Sequence, residues 1–159
     1  MSRDQPAQPE LLNELLTAVR HMSLETMLLS AVVAERIGIN PTDLTWLALI
    51  GPDGEVTAGE LAELSGLTTG AVTGLIDRLE RAGFVERKRD PEDRRKVFVR
   101  PNPANAERIE PHFARATEQV RELWGSYSDD QLVLLKDFFM RSYQILHAER
   151  LRQRVGAED

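Results

Sequence analysis

The sequence predicts a mainly α-helical fold with one small β-hairpin, in which a central lobe is flanked by long helices. Apolar residues recur at three- and four-residue steps over most of the chain, which is the period of an amphipathic helix. Clusters of glycine and proline divide these stretches into separate helices. Residues 84–100 instead show the charged, alternating pattern of two short strands. The length of 159 residues fits one domain with helical arms, which we expect to span residues 10–155.

The first helix is predicted over residues 10–37. It follows a leader at 1–9, whose two prolines and lack of apolar periodicity indicate disorder. Gly38 supplies the stop signal. At 1.5 Å per residue the helix would be about 40 Å long. That is too long for a compact lobe formed by residues 40–100 to cover.

The lobe itself begins with a second helix that ends at the glycine- and proline-rich turn 51–54. Thr57, with Glu60 three residues later, is a capping-box pattern, which predicts a third helix over 58–65. A tight turn at Gly66 separates this helix from the next one.

A fourth helix is predicted over 69–82, with Thr68 as its N-cap. Strands at 84–89 and 95–100 follow, joined by the turn 90–93. Two short helices joined by a tight turn and followed by a hairpin form a winged helix-turn-helix.

Two more helices are predicted over residues 104–154, the second of them capped by Ser128 or Asp129. Their apolar stripes, like that of residues 10–37, have no sheet or large domain to cover them. A second copy of the chain is the simplest cover for such stripes. We therefore expect residues 10–37 and 104–154 to be dimerisation helices and the protein to be a homodimer.

Composition narrows the class of protein. The absence of cysteine excludes disulfides, thiolate metal sites and thiol-based redox sensing. The chain lacks an apolar run long enough to cross a bilayer, and its start lacks the apolar core of a secretory signal, so we expect a cytoplasmic protein with no membrane partner.

The net charge is −6, but residues 84–100 hold seven basic and four acidic side chains. A local basic patch of this kind can steer DNA.

These features together predict a DNA-binding surface. A helix fits the major groove, and its N-terminus directs backbone N–H groups at phosphate. The fourth helix begins with small and hydroxyl-bearing residues, which let the backbone approach closely. Arginines at the hairpin tip would reach the adjoining minor groove. The predicted DNA-contacting residues are Thr68, Thr69, Gly70, Thr73, Arg78, Arg87, Arg89, Arg94 and Arg95.

Residues 61–99 resemble the MarR family of bacterial regulators, chiefly in the run GAVTGLIDRLERAGFVER followed by DPEDRR. The flanking helices extend the resemblance to about residues 10–150. It implies a homodimer with intertwined terminal helices, palindromic double-stranded operator DNA, and repression that a small ligand relieves. It also implies that Thr68, Thr69, Gly70 and Thr73 belong to the recognition helix and that Arg94 is the wing arginine.

The sequence departs from the family pattern at two places. Residues 100–104 replace a Leu-Thr pair and a glycine that usually follow the second wing strand, so the start of the fifth helix is expected to differ. Gly74 stands where a larger polar side chain is common.

The resemblance further implies a small anionic or aromatic effector bound between the arms and the lobe. Methionine and aromatic residues at helical spacing also fit an ordinary core, and a histidine beside them fits a solvent-facing position. The candidate lining residues are His21, Met22, Met27, Trp46, Phe113 and Tyr143.

Two other classes of function compete with this hypothesis. One is a winged-helix module that binds only protein, whose wing would tolerate loss of charge. The other is an enzyme, for which the sequence offers no nucleophile–base pair, metal cluster or phosphate loop. The expectation is therefore a regulator without catalytic activity, metal or cofactor.

Overall fold

The computed structural model describes residues 8–51, 54–93 and 96–155. Within these ranges no helix has both the length and the apolar composition that a membrane span requires. The elements in chain order are α1 (Gln8–Ile37), α2 (Pro41–Ile50), β1 (Val56–Thr57), α3 (Ala58–Ser65), α4 (Thr69–Arg81), β2 (Val85–Arg89), β3 (Val97–Pro101), α5 (Ala106–Gly125) and α6 (Asp129–Val155).

Helix α1 begins two residues earlier than the sequence predicts. Gln8 and Pro9, which the pattern places in the leader, form its first turn, where proline is tolerated because the N–H it lacks would have no intrahelical partner. The rest of the predicted leader, residues 1–7, lies outside the described part of the chain.

The helix-turn-helix forms as the local signals predict. Thr57 and Glu60 make a reciprocal capping box at the start of α3. Gly66 ends α3 with a φ of 71°, a left-handed conformation that favours glycine. Ser128 precedes α6, and its hydroxyl accepts a hydrogen bond from the Gln131 N–H at 3.4 Å. Local capping chemistry therefore sets these helix boundaries.

The wing is an antiparallel sheet with the strand order β1-β3-β2. In its register Arg87 lies opposite Val99 and Arg89 lies opposite Val97. The apolar stripe of α4 packs on this sheet and on the helices of the lobe. The most fully buried side chains of the resulting core are Leu61, Val72, Leu75, Ile76, Leu79, Phe84 and Val99.

The segment after β3 is tied to the lobe by hydrogen bonds. The Asn102 backbone N–H donates to the Phe84 carbonyl at 3.0 Å, and the buried Asn105 side-chain amide donates to the same carbonyl. A 3₁₀ turn at Pro103–Asn105 then leads into α5. These contacts fix the start of α5 to the lobe.

Helices α1, α5 and α6 leave many apolar side chains uncovered. Met27, Leu134 and Ile145 are 70%, 68% and 68% exposed. A smaller cluster, formed by Val33, Ala34 and Leu44, joins the end of α1 to α2. The arms therefore carry apolar faces that this chain does not bury by itself.

Candidate nucleic-acid interface

The N-terminal end of α4 is exposed and unobstructed. Thr68 caps the helix, and its hydroxyl accepts the Ala71 N–H at 3.3 Å. Thr69, Gly70 and Thr73 are all exposed on the same end. The Thr73 hydroxyl donates to the Thr69 carbonyl at 2.9 Å, so its oxygen remains free to accept a further hydrogen bond. A Cβ added to Gly70 would meet no atom within 4 Å, which leaves the backbone open to a ligand.

Arg78 is held by a buried carboxylate of α2. Its Nη2 and Nε donate to the two oxygens of Asp43 at 2.7 and 3.1 Å. Asn40 donates from Nδ2 to the same carboxylate at 2.8 Å. The Asp43 side chain is 4% exposed and that of Arg78 is 47% exposed. The hydrogen bond to Asp43 raises the pKa of Arg78. The pair therefore joins α2 to α4.

Arg87 joins the wing to the other side of α4. Its guanidinium donates to Asp77 at 2.5 Å and also to Glu80. The hydrogen bond to Asp77, together with the charge of Glu80, raises the pKa of Arg87 against the opposing effect of burial. The sequence predicts that Arg78 and Arg87 contact DNA. In the structure both form ion pairs with acidic residues of the same lobe.

Two more basic residues of the wing also face acids. Lys88 lies 3.5 Å from Glu55, and Arg100 forms ion pairs with Glu55 and Glu86. Much of the local positive balance of residues 84–100 is therefore compensated by acids within and beside the sheet. Neither the sequence pattern nor the spacing of these residues indicates this pairing.

The wing tip keeps free positive charge. Arg89 is exposed at the end of β2 and has no ion-pair partner within the described ranges. The Asp90 carboxylate accepts the Glu92 and Asp93 N–H groups at 2.7 and 3.2 Å, and these bonds lower the pKa of Asp90 and shape the turn. Arg94 and Arg95, both predicted DNA contacts, lie outside the described residues.

A cavity of about 950 Å³ lies between α1, α2, α5 and the segment that follows β3. Among the predicted ligand residues, Met27, Trp46 and Phe113 line it. The indole Nε1 of Trp46 is buried and has no hydrogen-bond partner within the described part of the chain. The structure does not bring the other candidates to this cavity, since the exposed residues His21, Met22 and Tyr143 lie away from its wall.

The order of the helices and strands, together with the geometry of the lobe, defines a winged helix-turn-helix protein with helical arms. The model of the MarR family matches residues 39–97. The HTH-type transcriptional regulator YcgE of Bacillus subtilis (strain 168) is 38% identical over 136 residues, which cover 84% of this chain and 88% of that protein. The chain therefore belongs to the MarR family of transcriptional regulators.

Solved structures show the same fold. A MarR family protein from Bacillus stearothermophilus has a TM-score of 0.65 at 23% identity, with 89% of this chain and 99% of that chain covered. A mutant of MepR from a multidrug resistant S. aureus clinical isolate has a TM-score of 0.69 at 18% identity, with 83% and 96% covered. At these identities the similarity concerns the fold alone, which confirms the predicted fold class.

Proposed function

We propose that this chain is a sequence-specific double-stranded DNA-binding regulator that acts in the cytoplasm, as a homodimer on palindromic operator DNA, and represses until a small ligand releases it. One observation supports the DNA-binding part of this proposal. The N-terminal end of α4 is exposed, capped by a hydroxyl and open at Gly70, and it lies on the lobe that also carries the charged wing.

The chemistry of this end suits a duplex. The first N–H groups of a helix have no intrahelical partner and favour an anion such as phosphate. Exposed threonine hydroxyls bond either phosphate or base edges. Two relatives of the same fold have been solved with nucleic acid: Streptococcus pneumoniae FabT in complex with DNA, and another S. aureus MepR mutant bound to an oligodeoxyribonucleotide. Their TM-scores to this chain are 0.63 and 0.55.

The homodimer is supported by the uncovered apolar faces of α1, α5 and α6. Exposed apolar patches of this extent mark an interaction surface. A two-fold arrangement places two copies of α4 about one helical turn of DNA apart, on the half-sites of a palindrome. We therefore assign residues 10–37 and 104–154 to dimerisation and residues 40–100 to DNA binding.

Release by a ligand is supported by the position of the cavity. Its wall includes Thr42, Thr45 and Trp46 of α2, and Asp43 of the same helix is bonded to Arg78 of α4. A ligand that moves α2 would therefore move the helix that we propose to enter the groove.

Selection of bound genomic DNA fragments tests the proposal. We expect enrichment of a palindromic sequence and a steep fall in affinity as salt rises. Binding without preference for any duplex at low ionic strength would refute it and would favour the protein-interaction alternative. Sedimentation at micromolar concentration tests the dimer, which a stable monomer would contradict.

Two matched glycines sharpen the test. Gly70 and Gly59 are each the second residue of a helix that a threonine caps, α4 and α3 respectively. Alanine fits both sites, since the Cβ at Gly59 would meet only Thr57 Oγ1 at 3.8 Å. Gly70→Ala should weaken operator binding about tenfold, because the methyl group would occupy the space between the backbone and the DNA. Gly59→Ala should have a much smaller effect, and equal effects would refute the close approach at Gly70.

A further inference from the structure

We propose that the cavity between α1, α2 and α5 binds an apolar molecule that is uncharged or positively charged, and that it disfavours the anionic effector that the family resemblance implies. A role for this ligand in regulation rests on the proposed function, in which an effector releases the DNA. The binding preference itself depends on the chemistry of the cavity wall and can be tested without DNA.

The charge of the wall is the first argument. Glu110, exposed on α5, is the one charged residue in the described lining of the cavity, which contains no lysine, arginine or histidine. An anion would leave water without gaining a cationic partner and would also face this carboxylate, whereas a cation would be attracted to it.

The polar atoms of the wall give the second argument. The hydroxyls of Thr26 and Thr45 donate to the carbonyls of Met22 and Pro41 at 2.8 and 3.0 Å. Their oxygens can therefore only accept a hydrogen bond from a ligand. A bound carboxylate is held best by charged donors, as its charge is costly to bury without them. The Nε1 of Trp46, unpartnered among the described residues, and the hydroxyls of Ser30 and Thr42 are donors in the wall, but all three are uncharged and suit a neutral acceptor.

The remaining wall is apolar and aromatic. Leu44, Leu47, Ile109 and Phe113 contribute apolar surface beside the indole of Trp46. A volume of about 950 Å³ suits a drug-sized molecule. Aromatic faces also attract organic cations that have left water. Size, apolar lining and charge together indicate a lipophilic molecule, neutral or cationic.

A pair of probes with similar shape and opposite charge tests the inference: tetraphenylphosphonium and tetraphenylborate, in a sodium buffer. The chain has two tryptophans, so the Trp124→Phe variant reports from Trp46 alone. We expect tetraphenylphosphonium to change the fluorescence of Trp46 and to bind at least about fivefold more tightly than tetraphenylborate.

Glu110→Gln should reduce that preference about threefold, because the attraction of the cation to this carboxylate is lost. Glu122→Gln, which changes the net charge equally on the same helix but away from the cavity, should leave the preference unchanged. Equal or tighter binding of tetraphenylborate would overturn the inference. So would an equal response of the two variants, because the preference would then come from the overall charge.

Operator binding is measured separately, with each probe present. Tetraphenylphosphonium that binds at Trp46 but leaves the operator complex intact would refute release by a ligand and keep the assignment of the cavity. Intact operator binding by a protein whose Trp46 responds to neither probe would refute the inference and leave the DNA-binding proposal standing.

Discussion

The ion pair between Asp43 and Arg78 should contribute to stability unequally from its two sides. We consider three variants: Arg78→Ala, Asp43→Ala and the double substitution. The carboxylate is almost fully buried, whereas the guanidinium is about half exposed. Removal of one partner therefore has a different consequence from removal of the other.

Arg78→Ala leaves a buried negative charge with Asn40 Nδ2, 2.8 Å away, as its remaining side-chain donor among the described residues. Breaking a fully buried pair from one side costs about 3–5 kcal/mol. Because water already reaches the Arg78 side of this pair, we expect a smaller loss of about 2–3 kcal/mol in the free energy of unfolding.

Asp43→Ala removes the buried charge itself and leaves a guanidinium that can turn to solvent. The helix cap is retained, because Asn40 Oδ1 accepts from the backbone N–H of residue 43. We expect a loss of about 1–2 kcal/mol, and nearly the same loss in the double variant. We therefore predict that Arg78→Ala is the least stable variant and that Asp43→Ala and the double variant are nearly equal in stability.

Urea unfolding followed by circular dichroism measures these differences, at one protein concentration because subunit association adds to stability. If Asp43→Ala is as destabilising as Arg78→Ala, or if the two losses add in the double variant, the carboxylate is not the buried charge that we describe. Operator titrations at several salt concentrations separate a second role. A phosphate contact by Arg78 would reduce the salt slope by about one, and a purely structural role would leave it unchanged.

Three further predictions concern the lobe. Phe84→Ala removes a fully buried ring, over which the Arg108 guanidinium lies at 4.0 Å, and should cost about 3–5 kcal/mol in thermal unfolding; an unchanged Tm would contradict the packing. Hydrogen bonds from Thr57 lower the pKa of Glu60 below 4.5, so its ionised form stabilises the fold above that pH and the benefit is lost as the pH falls through the lowered value. Glu60→Gln should therefore be about 0.5 kcal/mol less stable than the wild type at pH 7 and equal to it in strong acid, whereas a pH-independent difference would exclude the carboxylate as the cause. Arg94→Ala should weaken operator binding by about 1–3 kcal/mol with a shallower salt slope in fluorescence anisotropy, and no change in either would remove Arg94 from the proposed contacts.

Local chemistry explains why much of the fold could be predicted from the sequence. The capping box at Thr57 and the left-handed glycine at Gly66 fix α3 at 58–65, the range that the pattern predicts. Thr68 fixes the start of α4 in the same way. These signals act within a few residues and need no knowledge of tertiary packing.

The pairing of charges could not be predicted because it depends on packing. Asp43 and Arg78 are 35 positions apart, and nothing near either residue indicates the other. For the same reason the sequence could not tell which aromatic residues share a cavity. Trp46 and Phe113 belong to different helices and meet at one wall, whereas Tyr143 stacks on His147 of its own helix.

These pairs change the interpretation of the basic segment. Arg78 fixes α4 to α2, and Arg87 fixes the same helix to β2, so α4 is held from two sides. Its free end is the capped N-terminus at Thr69 and Gly70. If α4 enters the groove as we propose, its attachment on two sides reduces the conformational entropy that it loses on binding. The predicted DNA-contacting arginines that the structure describes therefore differ in their surroundings: Arg78 and Arg87 are paired with acids and hold α4 in place, whereas Arg89 at the end of β2 is exposed and has no ion-pair partner among the described residues.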